Sequence, residues 1–108
     1  MITLMDVDPL KHLQEWYASQ CNGDWEHAYG ISIATLDNPG WSFKVDLTGT
    51  YLFDRAFDEV HVEGADRNDW YVCKIENHVF EAASGPNRLR DVIAVFLKWA
   101  DHPTFKLP

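Results

Sequence analysis

Between Trp41 and Leu47 the chain alternates without a break. Trp41, Phe43, Val45 and Leu47 are apolar, and Ser42, Lys44 and Asp46 lie between them. A strand of that period has one dry and one wet side, which is the mark of an antiparallel sheet covered on a single face. The same period runs upstream, where Tyr29, Ile31 and Ile33 point one way and Gly30, Ser32 and Ala34 the other. Asn38-Pro39-Gly40 joins the two runs with turn chemistry. A two-residue Pro-Gly loop would twist with the wrong hand, so a hairpin with a loop of about four residues is expected.

Helical spacing flanks these strands. Asp8 reads as an N-cap with Pro9 at the first helical position, and Leu10, Leu13, Trp16, Tyr17 and Gln20/Cys21 follow as an apolar stripe over residues 9–21. Asn22-Gly23 ends that helix. Further strands are expected near residues 57–63, 70–76 and 79–82, with Asn77-His78 as the turn between the last two. A second helix is expected near residues 87–100, with Leu89, Val92, Ile93, Phe96, Leu97 and Trp99 as its stripe, and Pro103 prevents its continuation. The expectation is a single α+β domain over residues 1–108: helix, antiparallel meander of four to five strands, helix, with both helices on one sheet face. Period-two bookkeeping leaves Lys44, Asp46, Glu59, His61, Glu63, Lys74 and Glu76 on the open face.

Composition narrows the partners. Seventeen acids against nine Lys and Arg give a net charge of −8, which repels phosphate backbones and attracts basic surfaces. No direct nucleic-acid binding is expected. Cys21 and Cys73 lack metal-finger spacing and read as two buried thiols in a reducing compartment. The first nine residues carry two aspartates and no basic segment, unlike a signal peptide, and no apolar run reaches the ~20 residues of a membrane span. A cytoplasmic protein, with a monomer favoured and no membrane association, is expected.

Candidate chemistry is sparse. Asp24, Glu26, His27 and Asp37 offer oxygen and nitrogen ligands or an acid–base pair for a small acidic enzyme or metal-binding protein. They are read as lying in a loop and a turn, where no fixed spacing brings two ligands together. No nucleophile elbow and no glycine-rich phosphate loop is present. No catalytic residue, no metal site and no cofactor is therefore expected. Trp16, Trp41 and Trp99 fall on apolar faces. Trp25 and Trp70 lie beside acids at strand junctions, either capping the core or serving as aromatic anchors in an interface.

The run Trp16-Tyr17, Gln20-Cys21-Asn22-Gly23-Asp24-Trp25-Glu26-His27, Tyr29-Gly30-Ile31, Ile33 and Thr35-Leu36-Asp37-Asn38-Pro39-Gly40-Trp41 resembles the immunity protein 53 family. Trp70, Cys73, Leu89, Phe96 and Trp99 are compatible with the rest of that pattern. These are small bacterial proteins assigned to polymorphic toxin systems. The resemblance implies binding and neutralising a cognate toxin domain in the producing cell, with no catalytic residues. An acidic adaptor that mimics nucleic acid is the other binding alternative. If the helices cover one sheet face, the partner surface is expected to combine Asp46, Glu59 and Glu63 with the loop acids Asp24, Glu26, Asp37, Asp66 and Asp69, anchored by Trp25 and Trp70.

Overall fold

A computed structural model of the chain describes residues 8–100, so Pro103 and the first seven residues lie outside the described part. The order is α1 (Pro9–Gln20), α2 (Trp25–Ala28), β1 (Ile31–Leu36), β2 (Gly40–Asp46), β3 (Val60–Glu63), β4 (Trp70–Glu76), β5 (Val79–Ser84) and α3 (Leu89–Ala100). The α+β class is as the sequence predicts.

The sheet is antiparallel throughout, but it is not a meander. Its strand order is β1-β2-β5-β4-β3. β1 and β2 form one hairpin, in which Leu36 pairs with Gly40 and leaves a three-residue turn. β3, β4 and β5 form a three-stranded unit, joined to the hairpin where Phe43 pairs with Ala82 and Val45 with Phe80. Residues 47–59 therefore cross about three strand spacings, on the order of 14 Å, to the far edge. That distance is well within reach of their length.

The crossing segment is held by specific contacts. Leu47 and Leu52 are fully buried. The Trp16 indole donates to the Tyr51 hydroxyl (3.0 Å), which donates to the Ala100 carbonyl (2.8 Å). Trp99 Nε1 donates to the Ala56 carbonyl at 2.7 Å, and Arg55 donates to the Trp99 carbonyl. The segment also passes the β4–β5 turn, where Asn77 and His78 both have positive φ (51° and 63°). That is the two-residue hairpin geometry matched to strand twist. The His78 ring stacks on Phe53 at 3.8 Å, and Leu47 N–H donates to the His78 carbonyl.

Helix α1 starts as its sequence specifies: the Asp8 carboxylate accepts Leu10 and Lys11 N–H, and Pro9 opens the helix. Its buried face is centred on Pro9, Leu13 and Trp16, so Leu10 and Tyr17 stay exposed, contrary to the expected stripe. The reason is packing direction. α1 lies against α3, which itself lies across β2, β5 and β4. Phe96 of α3 meets Trp16, Phe43 and Phe80 edge-on at 4.8, 6.0 and 5.2 Å, an arrangement that aromatic quadrupoles favour.

Two burial expectations are corrected. Trp41 is only half-buried, at the sheet end, where its indole donates to the Pro86 carbonyl. Cys21 is exposed just past α1. Cys73 is the one buried thiol, and burial pushes it up to about 12, which keeps it unreactive.

Candidate functional site

The face of the sheet away from the helices carries Ser32, Lys44, Glu81 and Lys74 in one row across four strands, read from the register. The next row is Ala34, Ser42, Ala83, Val72 and His61. Long side chains beside short ones make a shallow depression of about 330 Å³, whose lining includes Leu36, Lys44, Glu59, His61, Lys74 and Ala83. Lys44 pairs with Glu81 at 3.6 Å and Lys74 with Glu76 at 3.1 Å. The Glu76 contact raises the Lys74 ammonium above its ordinary range and lowers the Glu76 carboxyl. Such exposed pairs add little stability, but they compensate both lysines. Asp46, Glu59 and Glu63 remain as the acidic excess of this face.

Apart from Glu59, which lines the central depression, the expected contact residues fall into two groups at opposite ends of the sheet. Asp37, in the β1–β2 turn, shares one end with Glu63, Asp66, Asp69 and Trp70. Asp24 and Glu26 lie near Asp46 at the other. Trp70 is half-exposed on the open side, at the rim of a second depression shared with Glu63, Asp66, Arg67 and Asp69. A side chain added to the neighbouring Gly85 would touch its indole nitrogen.

Asp69 has a structural task as well. It accepts from Arg88 Nε, while Arg88 also reaches Asp91 at 3.4 Å. The Arg88 contact, with the Ala65 N–H, holds the Asp69 carboxyl below its ordinary range. A carboxyl lowered by folding stabilises the native state above its unfolded pKa, and that contribution is lost as pH falls through the lower, folded value. Asp69→Asn is therefore expected to reduce stability at neutral pH and to flatten the acid limb of the stability–pH curve below about pH 4. Urea titrations at several pH values measure this. Parallel wild-type and variant curves would overturn it.

The segment rich in acids and tryptophan is not a loop with displayed side chains. Trp25–Ala28 forms one helical turn, and the residues around it cap one another. The Asn22 side chain accepts Asp24 and Trp25 N–H at 2.9 and 3.0 Å. Glu26 reaches back to accept Asn22 and Gly23 N–H at 2.8 and 2.7 Å. Its own N–H, then those of Asn22 and Gly23, hold the Glu26 carboxyl below its usual range. Gly23 has φ of +93°, which a side chain rarely allows.

The product of this turn is the placement of Trp25. Its ring is 3% exposed, lies 5.8 Å from Trp16, and donates through Nε1 to the Asp46 carbonyl at 3.1 Å. As an expected surface anchor Trp25 is thus corrected: its apolar area is spent in the core.

The residues of the enzymatic alternative are not brought together. Asp37 lies at the far end of β1 from Asp24, Glu26 and His27, and both Glu26 oxygens hold backbone N–H groups. Among the described residues, no three His, Cys, Asp or Glu side chains converge as a metal ion requires. No helix among them is long and apolar enough to cross a membrane. Sequence reasoning passed over Glu81 and Ala83, because which side chains share a row depends on strand order.

The family model described as Immunity protein 53 matches residues 10–101. No curated protein and no solved structure matches the chain.

Proposed function

This chain belongs to the immunity protein 53 family, and from that premise we propose that it binds and neutralises a cognate toxin domain in the cytoplasm of the producing cell. The open face of the sheet is the surface that takes the toxin, and the protein acts as an inhibitor, not as a catalyst. The observation that carries this reading is the excess of acids over lysines on a broad regular face. Asp46, Glu59 and Glu63 exceed what Lys44 and Lys74 compensate, and Glu81 and Glu76 already pair with those lysines. A toxin that cleaves nucleic acid must have a basic substrate groove, which such a face would cover with complementary charge. That favours a nuclease among toxin classes.

Stopped-flow mixing with the toxin domain encoded beside this chain tests the proposal. The association rate should fall at least tenfold between low salt and ~0.5 M, because screening shortens the range of steering. No complex at all would overturn the immunity reading. A tight complex with a salt-independent rate would overturn the electrostatic part and the preference for a nuclease.

A further inference from the structure

We propose that two copies of this chain associate through β1, joining their sheets edge to edge. The proposal concerns a surface other than the open face and stands apart from the toxin-binding reading.

Among the described residues the two edges of the sheet, β3 and β1, differ in kind. β3 is four residues long and carries His61 and Glu63. β1 is Ile-Ser-Ile-Ala-Thr-Leu, six residues paired to β2 without a bulge. It is the only one of the five strands with no ionisable side chain. Proteins blunt sheet edges with charge, proline, bulges or shortness, and β1 has none of these within its length.

The hydrogen-bonding pattern of β1 matches itself. Asp46 N–H donates to the Gly30 carbonyl at 3.0 Å, so the even-numbered residues of β1 make the bonds to β2. Alternation in an antiparallel ladder then turns the N–H and C=O of Ile31, Ile33 and Thr35 outward. These three positions are symmetric about Ile33. A two-fold axis there pairs Ile33 with its copy and Ile31 with Thr35 of the second chain, so every outward group finds a partner of the right kind.

The symmetry of that outward pattern selects a second copy as occupant, and charge permits it. Two chains of net charge −8 repel wherever their acids approach. β1 is an uncharged strip about 20 Å long. The groove beside it is lined by Pro9, Leu10, Ile33, Leu89 and Ile93, and its ionisable members are one acid and one base, Asp8 and Arg90. Leu10 and Ile33 are 53% and 42% exposed, and they would meet across the axis. The monomer expected from the sequence took no account of which strand stands at the edge.

Sedimentation of the full chain from micromolar to millimolar concentration decides the question. The wild type should pass from one copy to two, and the dimer should tighten with added salt, opposite in sign to the toxin complex. Ile33→Lys should weaken association at least tenfold, although it lowers the overall charge repulsion. Asp54→Ala, which adds the same unit of charge on the crossing segment, should not weaken it. Thr35→Pro removes one outward N–H without touching the β1–β2 ladder and should act like Ile33→Lys; it decides the matter if Ile33→Lys fails to fold. Amide exchange at Ile31, Ile33 and Thr35 should slow as concentration rises. A wild type that stays monomeric, equal behaviour of the Ile33 and Asp54 variants, or protection of those amides already in the monomer would each overturn the proposal.

Discussion

Trp25→Ala is expected to lower the unfolding free energy by about 3–5 kcal/mol, as other buried Trp-to-Ala changes do. Against a total of roughly 5–15 kcal/mol for a domain, that is a large loss. The ring is 3% exposed, meets Trp16 edge-on and Tyr17 at 5.7 Å, and holds the Asp46 carbonyl. Removing it leaves a cavity between α1 and the end of β2, and an acceptor without its donor. Urea denaturation gives the change in midpoint. The affinity of the surviving folded fraction for the toxin domain should be nearly unchanged, because the side chain faces inward. A variant with wild-type stability and lost affinity would mean that Trp25 is presented to the partner after all.

The buried place of Trp25 changes the meaning of the acid-rich segment around it. Asn22, Gly23, Asp24, Trp25 and Glu26 look like a binding loop because rare and charged residues crowd together. In the fold Asn22 and Glu26 satisfy N–H groups that a tight turn leaves open, and Gly23 supplies a positive φ. The turn sets a tryptophan into the gap between a helix and a strand end.

The alternation of β2, the Asp8-Pro9 start of α1, the Asn77-His78 turn and the stripe of α3 were all legible, because each depends on residues near one another in sequence. The open face was legible too: Lys44, Asp46, Glu59, His61, Glu63, Lys74 and Glu76 follow from period two alone. Strand order was not legible. Pairing β2 with β5 is a non-local choice, made by Phe43 and Phe80 meeting under Phe96 and by the anchoring of residues 47–59 on Trp16 and Trp99. Helix rotation and strand length account for two further misplacements. Leu10 and Tyr17 were expected inside because the α1 stripe was read without knowing that α1 faces α3. Asp37 was grouped with Glu26 because they are neighbours in the chain, yet the length of β1 separates them.

Trp70→Ala and the double reversal Glu59→Lys/Glu63→Lys are each expected to weaken toxin binding by at least ~2 kcal/mol, roughly 30-fold, with the protein still folded. The two changes should act through different rates. Trp70 is half-exposed beside Glu63 at the rim of a depression, the placement of an aromatic anchor with a charged border, so its loss should speed dissociation. Glu59 and Glu63 lie on the open side of the β3 edge, where the one lysine that Glu59 feels, Lys74, is already paired with Glu76, so their reversal should slow association and reduce its salt dependence. Lys44→Ala makes the internal control. It removes a charge that Glu81 already balances and leaves the face more acidic, so association with a basic toxin should become slightly faster. If Trp70→Ala and the double reversal both leave affinity unchanged while Lys44→Ala slows association, the partner is not basic and the contact lies off this face.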